Sequence, residues 1–443
     1  MNADYVRDLV YPAQFHREMT PAWIDAVGRG LGFAAPEIGR PFRWCELGCG
    51  EGLNALVVAA SHPQAQVVAI DANAAAIAGL AAAAQAAGLR NLVALQAEFA
   101  DLPEAGPGGF DFIVTHGVLS WVSDATRQAM LRFIDRALAP GGLVYAHYMT
   151  HPGLSAAVAA QQLVRRHAAT GDGDSAQRVQ RGLALLSQLS QAGAGFYTTY
   201  PQERQRLQAA AGQRAETLAH ELLAAHWRPF HVAAMLDEMA GIGLDYRGSA
   251  TPPDNIDAVS LPAASRPLLA GLADRATAET LRDLARNQAL RRDLYQRGGA
   301  SLAPAAHRQA LDGLALAALP GLPATASLRF DTPIGPVEGD PALFGPILAA
   351  LRQGPRRVGE LARLPGFAPH PVALNQAVQM LLWSGCAHPV LQPLPDPAAG
   401  QAVSRGLSGW RVAPALGTAL PVPDVVDAAT RAQWVAFGAV PPG

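Results

Sequence analysis

Lysine is absent from this 443-residue chain, so all 34 cationic side chains are arginine. They stand against 36 carboxylates, which leaves a formal charge of −2 and no expectation of a broad nucleic-acid surface. Charge is scarce, at 16% of residues, while half the residues are hydrophobic, which excludes a disordered chain. The three cysteines, Cys45, Cys49 and Cys386, are too few for a disulfide framework. Cys45 and Cys49 have no second pair to complete a zinc site, so no metal is expected. No apolar run reaches bilayer-spanning length and no apolar signal core follows the first charges, so a cytoplasmic protein is expected. What is left is a globular chain with material for two to four domains.

What is present is order in the first third. From Phe42 to Tyr148 strand and helix patterns alternate. Strands are expected at Arg43–Leu47, Gln66–Ile70, Leu92–Gln96, Phe110–Thr115 and Gly142–His147, with helices at Asn54–Ala60, Ala74–Ala87 and Thr126–Ala139. That alternation predicts an α/β, doubly wound, mainly parallel sheet. Residues 1–153 are therefore expected to form one domain. Residues 154–299 read as a helical block, including a basic helix from Arg282 to Arg292 whose charges form a solvated face or dock an acidic protein. Residues 300–326 read as a Pro/Ala/Gly-rich linker with a short helix. Residues 327–415 present three helices, Pro341–Arg352, Val358–Leu364 and Pro371–Ser384, then a hairpin, which is the winged-helix order. Residues 416–443 read as a tail draped over another surface.

Chemistry concentrates at Glu46-Leu47-Gly48-Cys49-Gly50-Glu51-Gly52, between the first strand and its helix. Gly48 and Gly50 permit positive φ and leave the backbone open to a ligand, and Gly52 lets the helix approach the sheet. Free N–H groups at that helix start suit a carboxylate. A dinucleotide site usually has apolar residues before its first glycine and the spacing G-x-G-x-x-G. Here the glycines run G-x-G-x-G, and Glu46 would repel a pyrophosphate. The pattern instead suits S-adenosylmethionine (SAM), whose amino-acid portion brings an amine to Glu46 and a carboxylate to the helix. Asp71, ending the second strand, is placed for both ribose hydroxyls. Glu98 and Phe99, after the third strand, suit the adenine amino group and ring. His116, at the end of the fourth strand, either lines the methyl-donor pocket, assists a proton or is a structural histidine. Trp121 reads as packing. His220, Glu221, His226 and His231 fit no ligand spacing and read as surface or capping groups.

Together with Phe110-Asp111 and Leu138-Ala139-Pro140-Gly141-Gly142, these residues resemble class I SAM-dependent methyltransferases. Tyr11-Pro12, Cys45 to Gly50, His116 to Val122, Thr150 to Gly153 and the block from His220 to Phe230 resemble methyltransferases that carry a methyltransferase regulatory domain. That group includes the rickettsial-type protein-lysine methyltransferases. The resemblance implies a seven-stranded Rossmann-like sheet, a helical regulatory domain and a C-terminal winged-helix-like domain. It implies SAM contacts from Glu46, Gly48, Gly50, Asp71, Glu98, Phe99 and His116, with Cys49, Asn54, Ala72 and Gly117 beside them. It also implies that Tyr11 and Phe15 lie on an N-terminal segment covering the cofactor. Where the group often has Tyr-Asn-Thr-Tyr-Pro-Gly, this chain has Tyr148-Met149-Thr150-His151-Pro152-Gly153, which leaves the acceptor open.

The acceptor expected first is a protein lysine, with a small-molecule nitrogen or oxygen as the alternative. His116, Tyr148 and His151 are the candidate catalytic residues. A DNA-binding regulator that senses SAM would need cationic residues on the third C-terminal helix, and Pro371–Ser384 has none. A silent scaffold is disfavoured by the intact acids at Glu46, Asp71 and Glu98. The helical middle would support a homodimer.

Overall fold

The alternation between Arg43 and Met149 builds the expected sheet in a computed structural model that describes residues 6, 8–9, 11–102, 108–320, 322, 328–365, 367, 371–407, 409–422 and 428–441. Strands β1 (Arg43–Leu47), β2 (Gln66–Asp71), β3 (Leu92–Gln96), β4 (Phe110–Thr115) and β5 (Leu138–Met149) run parallel. Helices α1 (Pro21–Leu31), α2 (Leu53–Ser61), α3 (Ala74–Ala86) and α4 (Asp124–Ala137) precede or link them. The caps are local and polar. Thr20, Asn73 and Ser123 accept backbone N–H groups at the starts of α1, α3 and α4. Helix α2 follows the glycine turn and is buried on every side, as its all-apolar face pattern requires.

Two further strands complete the sheet from within the stretch read as helical. β6 (Leu244–Ser249) and β7 (Leu290–Arg297) give the order β3-β2-β1-β4-β5-β7-β6, with β7 antiparallel to both neighbours. The expected basic helix is therefore divided. Helices α5 to α12 fill the segment, and α12 (Arg275–Arg286) stops at Asn287, which takes a left-handed conformation at φ 51°. Beyond it the alternation has period two. Arg291, Asp293 and Tyr295 face one side of the sheet, and Arg292 and Leu294 face the other. Nor is the arginine face solvated: Arg286 and Arg291 are buried, and Arg282 pairs with Asp257 at 2.9 Å and Glu279 at 3.0 Å.

Between β5 and β6, helices α5 (Ala157–Ala168), α6 (Ser175–Gln191), α7 (Gly195–Thr199), α8 (Pro201–Ala210) and α9 (Ala215–Leu223) form a lobe with its own small core of Val164, Val179, Leu186, Leu218 and Ala219. Helices α10 (Val232–Gly241) and α11 (Asp257–Ser260) return the chain to the sheet.

The C-terminal third is fused to the first domain. The stretch expected as a linker holds α13 (Pro304–Asp312) and β8 (Ala315–Ala318), the central strand of a sheet with β11 (Arg356–Arg357) and β12 (Ala387–Pro389). Residues 321 and 323–326 of that linker lie outside the described residues. After a hairpin, β9 (Leu328–Thr332) and β10 (Gly335–Gly339), come helices α14 (Pro341–Arg352), α15 (Val358–Leu361) and α16 (Pro371–Trp383). The strand after α16 pairs with β8 rather than opening a wing. The next hairpin, β13 (Trp410–Ala413) and β14 (Thr418–Pro421), comes only after α17 (Pro397–Arg405). Helix α16 lies against α1, with the Asn375 amide donating to the Gly30 carbonyl at 2.9 Å. In the final segment α18 (Ala428–Ala436) buries Trp434 against Leu319, Leu416 and Phe437. Among the described residues no helix is long and apolar enough to cross a membrane.

Candidate active site

At the C-terminal ends of β1 and β2 the glycine turn has the conformation its spacing requires. Gly48, Gly50 and Gly52 have φ of 77°, 52° and 68°, all in the left-handed region. The Gly48 and Cys49 N–H groups both donate to the Ile70 carbonyl, at 2.8 and 3.1 Å, which folds the turn over the end of β2. A Cβ at Gly48 would collide with Val118, whereas one at Gly50 would meet open space. Gly50 is thus where the backbone is bare to a ligand.

The acids converge on the same cavity. Glu46 is 5% exposed and receives the Ala55 N–H from the first turn of α2, but its Oε2 has no partner. Burial, with the nearby Asp71 carboxylate, pushes its carboxyl well above the usual carboxylate range. Asp71 accepts the Gly50 N–H on Oδ2 and the Asn73 N–H on Oδ1, both at 2.8 Å. Cys49, Ala72, Glu98, Phe99 and Gly117 line the cavity with them. Burial pushes the Cys49 thiol up, so it is a neutral wall.

The N-terminal segment does cross this cleft, but different residues do the work. Asn54 uses both amide atoms on one backbone unit, donating to the His16 carbonyl at 2.7 Å and accepting its N–H at 3.0 Å. It is a strap for the segment. Phe15 points away from the cavity and packs on Trp410, with ring centroids 5.6 Å apart. Tyr11 lines the cavity, edge-on to His220 at 5.3 Å. The His220 Nε2 lies 3.1 Å from the Leu9 carbonyl.

Sequence reasoning missed the cluster at the centre. His16, His116 and His147 form a stack, with ring centroids 3.5 and 3.9 Å apart and planes within 13° and 5°. Arg292 lies opposite His147 across the β5–β7 ladder and hydrogen-bonds the Tyr145 hydroxyl. That hydroxyl also hydrogen-bonds His116 Nδ1, 3.0 Å away. His147 Nδ1 accepts the Gly117 N–H at 3.1 Å, and its Nε2 has no partner. Burial first lowers all three imidazoles; Arg292 adds to it at each, neighbouring rings add to it at His116 and His147, and His16 falls to about 4 although Glu18 opposes the shift. The stack is neutral at pH 7, and with Nδ1 already occupied His116 is poorly placed as a base. Arg292 makes no ion pair among the described residues; its other side-chain contact is the Thr251 hydroxyl at 3.4 Å.

Two candidate catalytic residues have their polar groups engaged elsewhere. Tyr148 borders the cavity but is fully buried, and its hydroxyl donates to Asp293 at 2.6 Å. His151 contacts Ser155 at 2.7 Å and stacks on His231 at 4.4 Å, outside the cavity lining. Strand parity was the available signal: Tyr145 and His147 share a face of β5, and Tyr148 has the other. For Trp121, packing against Met149, Ala157 and Trp227 holds, although it also borders the cavity.

The cavity encloses about 1230 Å³ and continues from the glycine turn into the helical lobe. Residues 45–144 match the methyltransferase domain family, and residues 214–297 match a predicted methyltransferase regulatory domain. An uncharacterized protein of Synechocystis sp. is 31% identical over 88% of this chain and 77% of its own. The chain belongs to the SAM-dependent methyltransferases that carry a methyltransferase regulatory domain. A second relative of this methyltransferase, an uncharacterized protein of Rickettsia prowazekii, is 25% identical over 44% of the chain and 76% of its own. In fold the methyltransferase is similar to PKMT2 from Rickettsia typhi, solved in complex with AdoHcy, with a TM-score of 0.72. That match is 18% identical and covers 93% of this chain and 86% of the other. The regulatory domain match includes β6 and β7, so part of that domain is part of the methyltransferase sheet.

Proposed function

We propose that this methyltransferase methylates a lysine amine of a protein, with SAM held between the glycine turn, Glu46, Asp71 and the Glu98–Phe99 rim. SAM supplies an activated methyl group on a sulfonium. The chain's own residues fit it. Glu46 Oε2, buried without a partner, is an acceptor for an amine, and the bare Gly50 backbone admits a close contact. The carboxylate of Asp71 is held still by two backbone donors. The strap from Asn54 to His16 closes the cleft over the ligand and excludes water.

The observation that carries the lysine reading is the neutral stack beside Arg292, which makes no ion pair among the described residues. A free lysine ammonium has a pKa near 10.4, so neutralising it at pH 7 costs about 4.6 kcal/mol. Next to the half-buried Arg292 guanidinium the ammonium form is disfavoured, and the neutral nucleophile enters more readily. The likeness to PKMT2 and the resemblance to the rickettsial-type lysine methyltransferases support the same reading. Arg292 and the free His147 Nε2–H also suit an anionic oxygen of a small molecule, which is the second reading.

The test is to incubate the enzyme with lysate and methyl-labelled SAM, then hydrolyse and sort the label. Methyl-lysine from protein is expected; label confined to small molecules would overturn the lysine reading. With a methylated substrate in hand, Arg292→Met should move the pH profile of kcat, which reports the bound complex, upward by about one unit or more. An unmoved profile would remove Arg292 from control of the acceptor's protonation.

A further inference from the structure

The helical half of the cavity contains a set of buried acceptor atoms without hydrogen-bond partners in the fold. Gln161, Tyr197 and Glu203 come from α5, α7 and α8, are 2%, 2% and 5% exposed, and line the cavity. Each has an atom without a hydrogen-bond partner: Gln161 Oε1, the Tyr197 hydroxyl and Glu203 Oε1. The orientation of Gln161 is set by its own donors, because Nε2 serves the Leu222 and Ala224 carbonyls at 2.9 and 3.1 Å. Its oxygen is the face left over. Arg206 donates to the Gly153 carbonyl at 2.7 Å and ion-pairs with Glu203, its Nη1 3.5 Å from Oε1, but makes no hydrogen bond to it, so Glu203 keeps room for a second cation.

We propose that this wall binds a second, cationic side chain of the acceptor, a guanidinium or an ammonium, with Glu203 as its counter-ion and Tyr197 and Gln161 as further acceptors. The proposal rests on the reading that the acceptor is a protein. Unsatisfied buried acceptors are costly one at a time, and several of them lining one cavity call for a ligand rich in N–H donors. Guanidinium offers five donors and ammonium three. An anion would find Arg206 as its only charged donor in this group, facing Glu203. Apolar stretches beside the acceptors, from Val164, Leu183, Leu186 and Leu207, suit the aliphatic stem of such a side chain. Burial raises the Glu203 carboxyl, so a bound cation would also restore its ionised form. Specificity for a basic residue near the target lysine would then come from the helical lobe, while the sheet domain handles the methyl donor.

The experiment uses the full-length protein saturated with AdoHcy and two probes, N-acetyl-arginine-N-methylamide and its uncharged citrulline analogue, followed by ligand-observed NMR titration. The arginine probe is expected to bind at least tenfold tighter than citrulline. Glu203→Gln should erase that preference, and Tyr197→Phe should weaken arginine binding about threefold, with AdoHcy affinity unchanged in both. Equal binding of the two probes to the wild-type protein, or an arginine preference that survives Glu203→Gln, would overturn the proposal. The readout needs no methyl transfer. If arginine binds as expected but no lysine is labelled, the acceptor assignment fails and this site stands; if lysine is labelled and arginine is ignored, the reverse holds.

Discussion

Replacing Arg291 with methionine is expected to destabilise the fold by about 3–5 kcal/mol, the range for removing one partner from a buried ion network. Arg291 is 3% exposed and touches three carboxylates: Asp283 at 2.5 Å, Asp293 at 3.0 Å and Glu279 at 3.0 Å. Asp293 is wholly buried, and its remaining partners, the Tyr148 and Tyr295 hydroxyls, donate hydrogen bonds but carry no charge. Without the guanidinium the site keeps several buried carboxylates with no central cation. Asp283 and Asp293 would have to bind protons or be hydrated. The consequence reaches function through strand geometry. Arg291 anchors β7 on one face of the sheet, and the next residue, Arg292, faces the imidazole stack on the other. Denaturant unfolding of Arg291→Met gives the stability, and the triple variant Arg291→Met/Asp283→Asn/Asp293→Asn should recover part of the loss by removing the stranded charges. A cost below about 1 kcal/mol for Arg291→Met would show that the network is not what pins β7.

The parts of this site that were legible in the sequence are those whose geometry is local. The glycine turn, Glu46 two residues before it and Asp71 at the end of the next strand are fixed by one β–α–β unit, and each lines the cavity. The histidine stack was illegible because its members come from residue positions 16, 116 and 147, and only the folded sheet and the Asn54 strap bring them together. Phe15 was expected over the cofactor from the family resemblance; the strap turns His16 inward and Phe15 toward Trp410. Tyr148 borders the cavity, but strand parity, which the sequence reading did not apply, sends its hydroxyl to Asp293 on the other face. Arg291 and Arg292 were misplaced because charges at helical spacing hide a strand when the break, Asn287, is a residue that takes positive φ without being glycine. The C-terminal helices were recognisable from their periodicity. Their role was not: whether a third helix presents or buries its face depends on what packs against it, and here that is α1, more than 300 residues earlier in the chain.

Asp71→Ala is expected to weaken AdoHcy binding by about 2–3 kcal/mol, or roughly 30- to 150-fold, measured by calorimetry. Two losses combine. The first is the proposed pair of charge-assisted hydrogen bonds to the ribose hydroxyls. The second is preorganisation. The Asp71 carboxylate accepts the Gly50 and Asn73 N–H groups, and Asn73 in turn caps α3 by accepting the Ala75 and Ala76 N–H groups. One side chain therefore ties the glycine turn to the start of the helix that follows β2. Asp71→Asn separates the two. It keeps one acceptor oxygen and much of the shape, but sets an NH₂ group against one of the backbone donors and removes the charge, so it should fall between wild type and alanine. Asp111→Asn is the control for a generic loss of carboxylate. Asp111 accepts the Arg43 N–H at 2.7 Å at the opposite end of the sheet, outside the cavity lining, and its variant should leave the affinity within about twofold. An Asp71→Ala protein that binds AdoHcy within threefold of wild type would place the ribose elsewhere in the cavity, and with it the case for Glu98 and Phe99 at the adenine would lapse, since the sugar fixes where the base can reach.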